Sequence, residues 1–381
     1  MSNSHQGHPR AQGLNRRSLI QSAAALSMPL VLQGTVAWAQ EKLAGSGEVI
    51  AFSNGGSFTE GARKYVFDPF TKATNIKVID VVADIAEPQV NAMVRAGKVD
   101  WDWIMVQSQN FPGMAAQGMF APIDYTLWDP EALAGAPRAA RRADSVVVGS
   151  SAQVLAYDSR AYPNANNAPK TWADFWNVKK FPGPRGLYGI DAKRNVVFAL
   201  LADGMAPENI WPLTDEKLDR AFKKLDEIKP HITKWWVGGG EAPQLLINRE
   251  YVMTSAFNNR MIIAIRSGAP LKFGYDGAAM NQTWAAVLKD GPNPANAQKL
   301  VAFMNRAQIA AGWTLGTMFP GSNTNQLKHL PPDLVPLLPN NPDNAIKSVL
   351  EDSDWLATRR PDGKTNVEHM QARWLAWRSK T

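Results

Sequence analysis

Glu48-Val49-Ile50-Ala51-Phe52 is a compact apolar run, and Asn54-Gly55-Gly56-Ser57 breaks it. Helical spacing follows from Thr59 to Phe70 and is expected to stop near Pro69. Val78-Ile79-Asp80-Val81-Val82 makes a second strand, Glu87 to Ala96 a helix, and Trp103-Ile104-Met105-Val106 a third strand. Strands alternating with helices at this spacing predict a doubly wound α/β unit with a mainly parallel sheet. Ligands of such sheets sit beyond the carboxyl ends of the strands. That singles out three loops: Ser53–Phe58, Gln107–Phe111 and whatever follows the later strands.

Farther along, Val146 to Tyr157 reads as extended chain able to cross to a second lobe, and Tyr162–Lys170 as surface loop. Gly186-Leu187-Tyr188-Gly189-Ile190 opens another α/β series, and Leu218, Ala221, Phe222, Leu225 and Ile228 mark an amphipathic helix. Tyr251–Ala256 is a strand with Arg260 just past its end. Trp284–Leu288 is a short strand returning to the first unit, and Ala295–Met304 a helix.

The amino terminus carries an export signal. Arg10, Arg16 and Arg17 precede an apolar stretch from Leu19 to Val36, and Ala37-Trp38-Ala39 offers a small-x-small cleavage site before Gln40. Asn15-Arg16-Arg17-Ser18-Leu19-Ile20 resembles a twin-arginine variant, with Gln21 where lysine is usual. Residues 1–39 are therefore expected to be a secretory leader, with cleavage after Ala39 and work in the periplasm. No later segment approaches ~18 uninterrupted apolar residues.

Without the leader's three arginines the formal charge falls from +7 to +4 over 342 residues, too mild for a nucleic-acid footprint. That length predicts two lobes. The absence of cysteine removes disulfides, thiolate metal sites, cysteine nucleophiles and a lipid-anchored amino terminus together. His231, His329 and His369 are scattered without metal-ligand spacing. No G-x-S-x-G elbow or lysine-bearing phosphate loop is present, and Gly238-Gly239-Gly240-Glu241 reads as a turn. Asp100 and Asp102 flank tryptophans at a strand start rather than forming an acid–base pair. Nothing supports an enzyme, and no cofactor or metal is expected. Fourteen tryptophans exceed what a core of this size needs, so some are expected to meet ligand.

Several blocks then resemble a family. Phe67-Asp68-Pro69-Phe70-Thr71-Lys72-Ala73-Thr74-Asn75-Ile76 is similar to a segment of periplasmic solute-binding proteins. So is Thr171-Trp172-Ala173-Asp174-Phe175-Trp176 with Phe181-Pro182-Gly183. Leu200–Pro207, Trp235-Trp236, Gln244-Leu245-Leu246, Phe257-Asn258-Asn259-Arg260 and Phe319-Pro320-Gly321-Ser322-Asn323 resemble the branch that includes spermidine/putrescine-binding proteins. The likeness spans about residues 48 to 377. It implies a two-lobed flytrap of α/β domains with crossing hinge strands, a ligand in the interlobe cleft, and an ABC permease in the inner membrane as partner. The expected lobes are 46–152 with 281–325, and 153–280 with 326–381. The expected protein is a monomer with a small-molecule ligand.

Against that resemblance the pocket departs from polyamine chemistry. The acidic pair of the polyamine binders corresponds to Asp191 and Arg194, so one carboxylate has become a cation. The third acid falls at Gln282 or Thr283. The family's tryptophan-tyrosine pair is replaced by Asn54-Gly55-Gly56-Ser57-Phe58. Such a site repels a divalent polyamine. A γ-aminobutyrate-like ω-amino acid fits instead: Arg194 or Arg260 takes the carboxylate, Asp191 or Asp276 the ammonium. Arg260 also reads as a structural arginine, and Arg194 as a solvated helix residue. One of Trp235 and Trp236 is expected in the core and the other at the ligand, with Trp236 the candidate for contact and Trp284 at the lobe crossing. Gly56, Ser57, Phe58, Ser108, Gln109, Asn258 and Gln282 complete the expected contacts. The alternatives are a true polyamine binder using Asp102, Glu241 or Asp276, a sugar binder with stacking tryptophans, and a periplasmic enzyme or sensor on the same scaffold.

Overall fold

The computed structural model describes residues 42–380. The leader, its cleavage site and the twin-arginine motif lie outside the described residues. Among the described residues nine strands form the framework: β1 (Glu48–Ser53), β2 (Lys77–Val82), β3 (Trp103–Gln107), β4 (Val146–Asp158), β5 (Arg185–Tyr188), β6 (Ile232–Trp236), β7 (Met253–Phe257), β8 (Leu271–Val287) and β9 (Val349–Leu350). Their order is β2-β1-β3-β8-β4-β7-β5-β6, with β9 beside β8.

The order has internal logic. β2-β1-β3 are parallel and meet β8 antiparallel, while β6-β5-β7 are parallel and meet β4 antiparallel. Each lobe is thus three parallel strands closed by a fourth that belongs equally to the crossing. β4 and β8 pair with each other, Val146 opposite Ala285 through Asp158 opposite Leu271. A 17-residue strand is roughly 55 Å long, enough to run through both lobes. The return strand expected at Trp284–Leu288 is therefore only the end of β8. Its polar middle hides the strand from a hydrophobicity reading, because the Asp276-Gly277 stretch bulges where the register slips between Gln153 and Leu155.

One core gathers Val49, Phe70, Trp103, Ile104, Val287 and Leu300. In the other lobe Leu155, Trp172, Phe198, Leu225 and Trp374 fill one side of the sheet. Val154, Trp236, Leu246, Tyr251 and Met261 fill the opposite side. Adjacent residues of β4 thus serve opposite faces, as strand alternation requires. Buried Asp102 is a brace: it accepts the Ile50 amide at 2.7 Å and both Asn293 donors.

The expected helix Thr59–Phe70 differs. Helix Gly56–Ala62 widens into a π-helical turn, Arg63–Phe67, and resumes as Asp68–Thr74. Pro69 therefore falls in the first turn of a new segment, where its missing N–H does little harm. Asn75, left-handed at φ 63°, ends the run.

Candidate functional site

The carboxyl ends of the two parallel sheets face each other across the crossing strands. From the first lobe come the turn after β1 and the residues after β3. Gly55 has φ 79° and Gly56 φ 52°, and Gly56 has open space where a Cβ would stand. Gly56 and Ser57 are at the start of their helix, and both are exposed. Phe58 is half-buried and edge-on to Trp313 and Phe319.

From the second lobe comes the helix Ala192–Ala202, which begins directly after β5. Gln371 of the C-terminal helix pins its start by bonding the Ile190 carbonyl and the Ala192 amide. Asn195 donates to the carbonyls of Tyr188 at 2.7 Å and Asp191 at 3.2 Å. Arg194 Nη1 donates to Asp191 Oδ2 at 2.8 Å, and its guanidinium lies 5.4 Å from the Phe257 ring centroid. Asp191 Oδ1 is buried with no hydrogen-bond partner. An unpaired buried carboxylate oxygen is costly, and a ligand N–H would satisfy it.

Lys193 joins the lobes. Its Nζ lies 2.7 Å from Glu351 Oε2 and 2.9 Å from Gln109 Oε1, while Ser108 Oγ donates to Glu351 Oε1 at 2.6 Å. The Lys193 and Glu351 side chains are 7% and 6% exposed, so this pair is shielded from solvent. Burial pulls the Lys193 ammonium below its ordinary pKa, a loss that Glu351 opposes. Burial works against the Glu351 charge too. Lys193 and Arg194 outweigh it and hold that carboxyl below its ordinary value. A cavity of about 10 Å³, one water's worth, adjoins Lys193, Arg194, Trp211, Asn281 and Glu351.

The structure brings together Asp191, Arg194, Ser108 and Gln109, with Gln282 half-buried on the crossing strand, its carbonyl accepting the Ser108 amide. Other expected contacts lie elsewhere. Trp236 is fully buried and donates Nε1 to Thr254 at 3.1 Å, so it is core. Trp235 packs on the C-terminal helix against Trp374 and Trp377, under Arg378. Trp284 is 3% exposed, packed on Phe111 beneath Arg142. Adjacent strand residues alternate faces, and in β6 both faces are covered, which leaves neither tryptophan for a ligand. Asn258 is fully buried, accepting the Ala152 amide at 2.8 Å. Asp276 is exposed on the β8 bulge with no ion pair among the described residues. Arg260, in the first turn after β7, is exposed and lines a surface groove of about 560 Å³ with Gln244 and Ile263.

Sequence reading missed Lys193, Glu351 and Phe257. Lys193 is signalled by its place between Asp191 and Arg194. Glu351 arrives from 158 positions downstream and carries no local signal.

The profile of bacterial extracellular solute-binding proteins matches residues 66–333. The chain belongs to that family. It is 30% identical to a gamma-aminobutyric acid-binding protein of Pseudomonas aeruginosa, over 91% of this chain and 95% of the relative. A spermidine/putrescine-binding periplasmic protein of Haemophilus influenzae is 24% identical over 78% of this chain and 82% of its own. Among solved structures, an ABC transporter substrate-binding protein from Bradyrhizobium japonicum superposes with TM-score 0.76 at 32% identity, covering 87% of this chain and 99% of that one. The Atu4243-GABA receptor superposes with TM-score 0.75 at 27% identity, covering 88% and 98%. The expected family and the two-lobed α/β fold hold, and the role of the chain is to bind a solute.

Proposed function

We propose that this solute-binding protein captures a zwitterionic ω-amino acid of the γ-aminobutyrate type between its lobes and delivers it to an ABC permease. It acts as an exported periplasmic monomer, its leader removed after Ala39, with lobes 46–152 plus 281–325 and 153–280 plus 326–381. The observation that carries the reading is the Asp191–Arg194 pair: the carboxylate keeps one buried oxygen free for an ammonium, and the guanidinium has donors left for a carboxylate. Phe257 beneath Arg194 gives the methylenes an aromatic wall. The similarity to the gamma-aminobutyric acid-binding relative supports the same ligand class.

Calorimetry on the purified protein, unfolded and refolded to strip bound ligand, tests this with γ-aminobutyrate and putrescine in parallel. The amino acid binds and putrescine does not. Asp191→Asn weakens γ-aminobutyrate, and at least one of Arg194→Ala and Arg260→Ala weakens it by about 10- to 100-fold, the worth of a charge-assisted hydrogen bond. If both arginine variants bind as wild type does, the reading fails. Tight putrescine binding by wild type would instead assign the polyamine role.

A further inference from the structure

We propose that Lys193 is a specificity-determining residue whose own ammonium fills the place a second ligand ammonium would take, so that diamines are refused. The inference rests on the amino-acid reading above and names how that site excludes its nearest competitor. Lys193 Nζ is held by Glu351 Oε2 at 2.7 Å and Gln109 Oε1 at 2.9 Å, and Ser108 fixes the other Glu351 oxygen at 2.6 Å. A carboxylate and an amide oxygen converging on one point, with a hydroxyl orienting the carboxylate, is the coordination a primary ammonium requires. Here the chain supplies that ammonium itself. It does so two residues from Asp191, the acceptor left for a ligand.

The charge count decides what enters. Asp191 faces Arg194 and Glu351 faces Lys193, so the two carboxylates are balanced by two cations. A zwitterion adds no net charge. A diamine adds two positive charges among groups shielded from water, where unbalanced charge is strongly disfavoured. Without the Lys193 ammonium, Glu351 becomes an unbalanced carboxylate beside vacated space that adjoins the existing cavity. That is a receptor for the second ammonium of a diamine.

Wild type, Lys193→Met and Lys193→Met/Glu351→Gln are titrated with putrescine and with γ-aminobutyrate. Lys193→Met binds putrescine at least ~10-fold more tightly than wild type, and the double variant loses that gain. A lysine that merely struts the lobes would lose stability without acquiring a ligand, so a Lys193→Met protein that folds and gains no putrescine affinity overturns the proposal. Should Lys193→Met not fold, Glu351→Gln reverses the imbalance and leaves one cation over. Glutamate, with its extra carboxylate, then binds at least ~10-fold more tightly than to wild type, and no gain overturns the proposal. The two readings fail separately. Wild type that ignores γ-aminobutyrate removes the proposed ligand, whereas the putrescine gain of Lys193→Met reports only on the tethered ammonium.

Discussion

Asp191 and Arg194 stand three residues apart at a helix start, so the helix itself brings them within 2.8 Å. That contact was legible in the sequence, because spacing alone fixes which side chains share a face. Arg185 was not. It is 1% exposed, and its guanidinium donates to the carbonyls of Phe175, Phe181 and Gly183. The Phe181-Pro182-Gly183 block of the family is thereby stapled under β5, the strand that delivers Asp191. Arg185→Met strands these carbonyls and is expected to cost about 3 kcal/mol, read as a lower urea midpoint at unchanged m-value. A loss under ~0.5 kcal/mol would mean that the loop finds other donors.

At the scale of elements, the helix Gly56–Ala62 packs backbone to backbone on the helix Ala307–Thr317. A Cβ at Gly61 would lie 2.2 Å from the Gly316 carbonyl oxygen. On an isolated helix, alanine for glycine stabilises by up to ~1 kcal/mol. Here Gly61→Ala must push the helices apart, and we expect a loss of about 1–3 kcal/mol. Because the same helix carries the Gly55-Gly56 turn, γ-aminobutyrate affinity falls with it, as calorimetry would register. A stabilised variant would contradict the close approach. Apolar periodicity marks β1, β2 and β3 with the helical segments between them, and Asp215–Ile228 shows its stripe plainly, but it did not single out β6. The true length of β8 could not, since pairing with β4 holds polar Asn281 and Gln282 in the strand.

For the whole molecule, the Lys193–Glu351 pair couples lobe contact to pH. Lys193 holds Glu351 below its ordinary value of 4.5 in the folded chain. At pH values between the two, the unfolded chain binds more protons, so stability rises with pH there. The contribution is complete above about 4.5 and is lost as pH falls through the lowered folded value. Wild type is therefore expected to lose more Tm on acidification from about pH 6 to 3 than Glu351→Gln does, measured by calorimetric melting. Parallel slopes would show that Glu351 is not a source of the acid sensitivity.

Local composition and periodicity determined the alternating α/β lobes, because burial patterns and turn residues are written in neighbouring positions, and the ordered sequence blocks carried the resemblance to solute-binding proteins. The acid-to-base change at Asp191 and Arg194 was legible only through that resemblance. Only the tertiary structure decided that Trp236 and Trp284 are core and that Asn258 is a brace. It alone decided that Glu351 comes to lie against Lys193 and Ser108. Those outcomes depend on which surfaces meet when β4 and β8 cross, and a contact between residues 158 or 243 positions apart leaves no trace in the sequence around either partner.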